Sequence, residues 1–363
     1  MSTTLITAKE RAKAALQLLY VADALSMPVH WFYNPLDIQK AFPGGIKKFE
    51  AAPAFHPSSI MALHSTSTGG RGPQNNTRQP QVVGDIILKG KRSFWGIPNQ
   101  HYHQGMQAGE NTLNAHCARL ITRTLIAQKG RYDSQEFLNH YIAFMTAATP
   151  QHPDTYAESF HRGFFAQYVK GVPPQKCGLK THDTPSVGGL VMIGPIAISQ
   201  LMRAIPLAQV QDMCRAHLWL THPDEYLAHI CDAYVALINL LLFRETTAAR
   251  DIIAAVASSS IGLHLPKLSL RNLTDAEVVG GMFSKACYID DAWPSLLFLL
   301  YQYLDKPQQG LLANTNLGGE NCHRGSVLGV LLGLATADGW DEQFAQLVDA
   351  QAIEQEINHL LAI

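Results

Sequence analysis

The sequence has no excess charge of either sign, no closely spaced cysteines and no long uninterrupted apolar run. Twenty-eight Lys and Arg stand against 29 Asp and Glu, a formal net charge of -1. No long-range field therefore gathers phosphate polymers or anionic bilayers, and neither a nucleic-acid nor a membrane partner is expected. The 6 cysteines, at positions 117, 177, 214, 231, 287 and 322, form no CxxC pair and no small secreted framework. They read as reduced thiols of a cytoplasmic protein. The apolar run GGLVMIGPIAIS at 188–199 is too short to cross a bilayer, and the N-terminal stretch has no basic segment ahead of its apolar part, which Asp23 interrupts. Alternating strand patterns with hairpin turns are nearly missing too, and no fixed-period repeat points to a solenoid.

What is present is helix. With 363 residues and 47% hydrophobic content the chain can bury a large core, and no linker divides it, so one domain over 1–363 is expected. Thr7 and Glu10 form a capping box ahead of an apolar stripe carried by Leu16, Leu19 and 21–25. Residues 29–108 read as irregular, with STSTGGRGPQNNTRQP at 65–80 lacking any periodicity. Helical patterns then follow at 110–128, 134–147, 155–169, 186–204, 207–219, 224–243, 247–257, 274–285, 291–303, 321–336 and 341–361. The helix at 155–169 is read as opening on a Thr155–Glu158 capping box, and Asp224 as an N-cap. The fold class is all-α, a compact multi-helix bundle with a long irregular segment near the N-terminus.

Two of these helices begin alike. Gly-Glu-Asn occurs at 109–111, in AGENTLN, and again at 319–321, in NLGGENCHRG, each time just ahead of an apolar helix. A helix start offers unpaired N–H groups and a partial positive charge, which favour anions and phosphates. A first-turn Glu also suits any ordinary helix, so each site alone has a structural reading; the pair together points to one shared site. Glu110 and Glu320 are candidate acid and base, or acid and nucleophile, for glycosidic cleavage, and with Asn111 they are candidate oxygen ligands for a hard cation. His323 is a candidate proton carrier and Cys322 a candidate nucleophile, with burial of a small residue as its structural alternative. Asn111, Thr112 and Asn321 are candidate ligand contacts. So are Asp183, Ser186, Gly188 and Gly189, where small residues let a ligand approach the backbone, and His101 and His103 in NQHYHQG. A zinc site built on these two histidines lacks evident further ligands. Asp23, inside an apolar helix, needs a buried partner. The aromatics Trp31, Phe32, Tyr33 and Trp95 are available to stack on a base or to be buried under loops.

These segments, in this order, resemble the ADP-ribosylglycohydrolases, relatives of the dinitrogenase reductase-activating glycohydrolase. YVADALSMPVHW is similar to the family's opening Gly-Asp-Ala-Leu-Gly-x-Pro helix, and AGENTLN falls where its Thr-Asp-Asp-Thr motif stands. SVGGLVMIGPIAI is similar to its Gly-Asn-Gly-x-x-Met-Arg-x-x-Pro segment, with Val187 and Met192 in place of the polar Asn and Arg. THPDEYLAHICDAY and NLGGENCHRGSVLGVLLGLATADGW match its Thr-His-Pro helix and its closing Gly-Gly-Asp-x-Asp-Thr helix.

The resemblance implies an all-α domain with a central cleft for ADP-ribose or an ADP-ribosylated substrate, two magnesium ions, and hydrolysis at the ribose C1″. Carried over by position, the metal ligands become Gly109, Glu110 and Asn111, then Glu320, Cys322 and His323. Only Glu110, Asn111 and Glu320 keep a hard side-chain oxygen, so an octahedral magnesium pair is matched incompletely. The expectation is a divergent hydrolase of N- or O-ribosidic bonds. The alternatives are a protein that binds ADP-ribose or a partner without turnover, and a purely structural role.

Overall fold

The computed structural model describes residues 6–61 and 81–363; the Gly- and Asn-rich stretch 65–80 lies outside them. Helix α1 (Ala8–Ser26) opens the chain and α2 (Pro35–Ala41) follows. After a stretch of turns come α3 (Leu113–Ala127), α4 (Ser134–Met145), α5 (Ser159–Tyr168), α6 (Ile193–Met202), α7 (Leu207–Trp219) and α8 (Glu225–Leu242). The last part of the chain contributes α9 (Ala249–Ile261), α10 (Leu265–Ser269), α11 (Asp275–Val278) and α12 (Ile289–Gln302). It closes with α13 (Pro307–Leu317), α14 (Asn321–Thr336), α15 (Asp341–Phe344) and α16 (Ala350–Leu360). Among the described residues there is no β-strand, only isolated bridges such as Ser186 to Tyr288. The fold is all-α, as the periodicity predicts.

Helices α1 and α14 form the axis of the bundle. The Thr7 hydroxyl accepts the Glu10 N–H at 3.2 Å while the Glu10 carboxylate accepts the Thr7 N–H at 2.7 Å, so the capping box is complete. Along α14, Gly325, Gly329 and Gly333 recur every fourth residue and face Ala22, Leu18 and Ala15 of α1 in turn, an antiparallel crossing. A Cβ at Gly329 would stand 2.4 Å from the Leu18 carbonyl oxygen, so only glycine permits this approach. Every residue of α14 from Asn321 to Ala335 is buried. From Val327 to Ala335 the helix is apolar all round, as expected at the centre of a large protein. Helix α8 is long and apolar enough by composition to cross a bilayer, but more than half of it is buried within the bundle.

Four readings are corrected. The expected helix at 341–361 is two helices, α15 and α16, and the one at 274–285 shortens to α11. Helix α13 lies between the expected helices 291–303 and 321–336 and was not among them, since Gly310, Asn314, Thr315 and Asn316 are weak helix formers. Gly310 is instead required where Tyr303 packs, its Cβ position 2.7 Å from that of Tyr303, and Asn314 is buried against Arg324, whose Nε donates to Asn314 Oδ1 at 2.7 Å. The Thr155–Glu158 capping box does not form. The Thr155 hydroxyl donates to the Tyr102 carbonyl at 2.7 Å, and Glu158, at the N-cap of α5, makes no cap bond.

Candidate active site

The double glycine before Glu320 builds the approach to the site. Gly318 and Gly319 have φ of 69° and 65°, the left-handed region, and a Cβ at Gly318 would lie 2.0 Å from the Phe32 carbonyl oxygen. The two strands of chain are stapled there: Trp31 N–H donates to Gly319 O and Gly319 N–H to Phe32 O, both at 2.8 Å. Trp31 itself sits at φ 62°, unfavourable for a bulky residue and held by these bonds. The staple brings the Trp31 indole and the His30 imidazole onto the carboxylate at the head of α14.

Glu320 is saturated. Its Oε2 accepts the Trp31 indole N–H at 2.7 Å, and its Oε1 lies 2.8 Å from His30 Nε2 and 2.7 Å from His323 Nδ1. From His30 the chain of bonds runs back to His103, Nδ1 to Nε2 at 2.7 Å, and from His103 Nδ1 to Asp154 Oδ1 at 2.8 Å. The other Asp154 oxygen accepts the first N–H of α3, from Leu113, at 2.8 Å. On the far side, His323 Nε2 lies 2.5 Å from the Asn114 amide, whose other end meets His161 at 2.9 Å; His161 meets the Tyr141 hydroxyl at 2.6 Å.

Electrostatics follow from this burial. Burial disfavours the Glu320 carboxylate, but His323 and then His30 outweigh it and hold Glu320 well below the usual carboxylate range. Burial likewise opposes charge on His323, yet Glu320 and Glu158 raise it to about 9. His30, for which burial prevails over Glu320, is lowered to about 3. For Asp154 burial is overcome by the charge and hydrogen bond of His103, which leave it below its ordinary value.

Glu320 and His323 form the floor of a cavity of about 470 Å³. Glu158 and Asp183 bring further carboxyl groups to it, and Glu158 Oε1 stands 3.7 Å from His323 Nε2. Burial pushes the Glu158 carboxyl up to about 8, with His323 opposing. Trp31, Tyr33, Tyr102, Tyr156, Phe160 and Tyr288 supply an aromatic wall, the kind of surface on which sugars and bases stack. Arg162 also lines the cavity, its guanidinium 5.2 Å from the Trp95 ring and 5.7 Å from that of Tyr156.

Of the residues singled out in the sequence, Glu320, His323, Asp183, Ser186, Gly188, Trp31 and Tyr33 line this cavity. Gly188 gives close approach to His323, since a Cβ there would meet its Nδ1 at 3.3 Å. Gly189 faces inward instead, against Leu218, His222 and Leu227. His103 lies one shell behind, in the relay, and His101 beneath it, bonded to the Pro28 carbonyl at 3.1 Å.

The second Gly-Glu-Asn site does not join the first. Glu110 accepts the Gln107 N–H at 2.7 Å and lines a separate hollow with His116 and Asp349. The meeting of Glu110 and Glu320 in one pocket, and the catalytic and metal roles of Glu110 that depended on it, are corrected accordingly. Asn111 and Thr112 serve Asp23, the buried acid of α1. The Thr112 hydroxyl and N–H donate to it at 2.6 and 2.8 Å, and the Asn111 amide at 2.9 Å. The Asn321 amide donates to the Thr315 and Val29 carbonyls at 2.9 and 3.4 Å. Cys322 turns away from the cavity to pack with Met27 and Met106, and burial pushes its thiol well above the ordinary value, which removes the nucleophile reading. Sequence reasoning missed His30, Asp154, Glu158 and Arg162. Glu158 was read as a capping residue, and nothing in local spacing marks the others.

A family model described as ADP-ribosylglycohydrolase matches residues 4–361. The chain belongs to the ADP-ribosylglycohydrolase family. Among solved structures, one titled "ADP-ribosylglycohydrolase-related protein complex" aligns with a TM-score of 0.59 at 14% identity, covering 99% of each chain, a likeness of fold. No curated protein matches the sequence.

The magnesium pair that the family implies does not fit these residues. Magnesium demands several oxygen ligands in octahedral array. Here Gly109 has no side chain, Glu110 is turned to Gln107, the Asn111 amide nitrogen is spent on Asp23 and Tyr20, and Cys322 is packed among methionines. The cluster assembled here, Glu320 and His323 at the cavity floor with His30 behind them, is two imidazoles on one carboxylate.

Proposed function

We infer that this family member hydrolyses an N- or O-ribosidic bond of an ADP-ribosylated or ADP-ribose-like substrate. The observation that carries the reading is that two carboxyl groups from separate helix starts, Glu158 and Glu320, flank His323 in one aromatic-walled cavity. Cleavage at an anomeric carbon needs a group that donates a proton to the leaving atom and fixed negative charge beside an oxocarbenium-like transition state. Glu320, its Oε2 held by the Trp31 indole N–H and its Oε1 flanked by the His30 and His323 rings, supplies the carboxylate beside the reacting centre and is too constrained to act as a nucleophile. Glu158 reaches the cavity from the start of α5 and is the proton donor. The aromatic wall supports the base and sugar.

The test is release of ADP-ribose from N-linked and O-linked ADP-ribosyl amino acids, followed by chromatography. Wild type is expected to turn over at least one of the two linkages. Glu158→Gln lowers turnover by roughly 100-fold or more, the range of lost acid–base catalysis. Full activity in both Glu158→Gln and Glu320→Gln sinks the reading. The unassembled magnesium ligands favour one second reading, a protein that binds ADP-ribose without turnover. Calorimetric binding of ADP-ribose by wild type that cleaves neither linkage selects it.

A further inference from the structure

The bonds behind Glu320 pose a counting problem. Three successive contacts join Asp154, His103, His30 and Glu320, at 2.8, 2.7 and 2.8 Å, and both ends of the series are carboxylates. Carboxylates only accept, so three contacts need three hydrogens, and two neutral imidazoles carry two. The series is complete only with one further positive charge, which can be a proton on either ring or a metal cation at the Glu320 end.

We propose that His30 Nε2, Glu320 Oε1 and His323 Nδ1 bind one divalent transition-metal cation of the imidazole-preferring class, such as Zn²⁺ or Co²⁺. The three donor atoms lie within 4.8 Å of one another, and all three residues are buried. With the cation between them the count closes: His30 Nδ1–H donates to His103 Nε2, His103 Nδ1–H donates to Asp154, and both rings are neutral. Each ligating ring is then oriented from behind, as metal-binding histidines characteristically are. For His30 this support is His103 and Asp154. For His323 it is the Asn114 amide, turned so that its oxygen accepts the Nε2 hydrogen, with His161 and Tyr141 beyond. Trp31 stays on Glu320 Oε2 and fixes the carboxylate while Oε1 faces the cation.

The geometry and the chemistry of the donors select the class. Donors about 2.1 Å from a common ion are about 3.4 Å apart at the tetrahedral angle and about 3 Å apart at right angles. The Oε1 contacts of 2.8 and 2.7 Å therefore need to open by about 0.2–0.7 Å, a shift within the reach of side-chain rotation. Two nitrogens and one oxygen suit zinc, cobalt or iron(II) and not magnesium. Because Glu320 and His323 line the cavity while His30 lies behind it, the remaining coordination positions face the substrate space. The site shares the cavity of the proposed hydrolysis but does not rest on it.

The experiment is titration of chelator-stripped protein with Co²⁺, read by visible absorbance, and with Zn²⁺ and Mg²⁺ by calorimetry, no substrate being present. One equivalent of Co²⁺ or Zn²⁺ per chain at micromolar affinity or tighter, with Mg²⁺ failing to saturate at millimolar concentration, is expected. His30→Ala and His323→Ala abolish that equivalent, and His103→Ala weakens it about 10–100-fold, as loss of an orienting partner does. Circular dichroism reports whether each variant folds. Should the alanine variants not fold, X-ray absorption on the cobalt-loaded wild type decides, with two imidazole nitrogens in the first shell expected. An all-oxygen shell, binding unaltered in folded His30→Ala, or no bound cation overturns the proposal; the last leaves a proton as the missing charge. A protein that binds the cation but cleaves nothing refutes only the hydrolysis reading, and an active protein that binds no cation refutes only this one.

Discussion

His323 Nδ1 lies 2.7 Å from Glu320 Oε1, one helical turn along α14, with both side chains withdrawn from solvent. A pair made at a helix start by residues three apart is ordinary on a surface and exacting in a core. Here the carboxylate must satisfy His30 and Trp31 as well.

Replacing Glu320 by Gln therefore destabilises the protein as well as altering its chemistry. The amide nitrogen would face N–H donors, and His323 would lose the partner that favours its charge. Breaking a buried pair from one side costs about 3–5 kcal/mol. Urea denaturation of Glu320→Gln against wild type measures this. A loss below about 1 kcal/mol, the range of exposed pairs, would mean that the pair is solvated.

Glu110→Gln, in contrast, leaves turnover within about twofold of wild type, because Glu110 accepts from Gln107 outside the cavity. For the same reason of placement, Cys322 resists iodoacetamide in the folded protein and reacts only after denaturation, as peptide mass spectrometry would show. A tenfold drop in activity for Glu110→Gln, or rapid native labelling of Cys322, would contradict the placement of that residue.

The glycine stripe of α14 offers a test in which two effects oppose. Alanine in a helix interior is better than glycine by up to about 1 kcal/mol. At Gly329 and Gly333, however, the added Cβ would stand 2.4 Å from backbone atoms of α1, and overpacking of this kind costs about 1–3 kcal/mol. Gly329→Ala and Gly333→Ala are therefore expected to lower the melting temperature. A rise in either would show that α1 yields easily.

Acid should weaken the fold through histidines buried outside the cavity lining. Burial lowers His217 and His222 to about 3 each, whereas in the unfolded chain a histidine titrates near 6.5. Below about pH 6.5 the unfolded state takes up protons that the folded state refuses. The stability associated with the neutral rings is thus fully present above that pH and is lost progressively towards pH 3. Each contributes a slope of up to about 1.4 kcal/mol per pH unit. Urea denaturation from pH 8 to 4 should show the decline, and His217→Gln should make it shallower. An unchanged slope would assign the acid sensitivity elsewhere.

Much of the architecture was decided within short stretches of sequence. The Thr7–Glu10 box starts α1 and the Asp224 side chain caps α8, accepting the Leu227 N–H at 2.9 Å. The 3.6-residue spacing of apolar residues marks most of the longer helices, because all of these are interactions between neighbours. The polar run at the start of α14 was likewise legible as half of a candidate site, and the ordered motifs carried the family. Which groups complete that half was decided only by tertiary structure. Glu110, a repeat of Glu320 in sequence, folds back on Gln107, while Asp154, His30 and Glu158 arrive from unrelated segments. The physical reason is that a motif specifies its own backbone geometry but not the direction in which packing turns its side chains. Here that direction was set by a glycine-lined crossing of α1 on α14 and by the staple between Trp31 and Gly319.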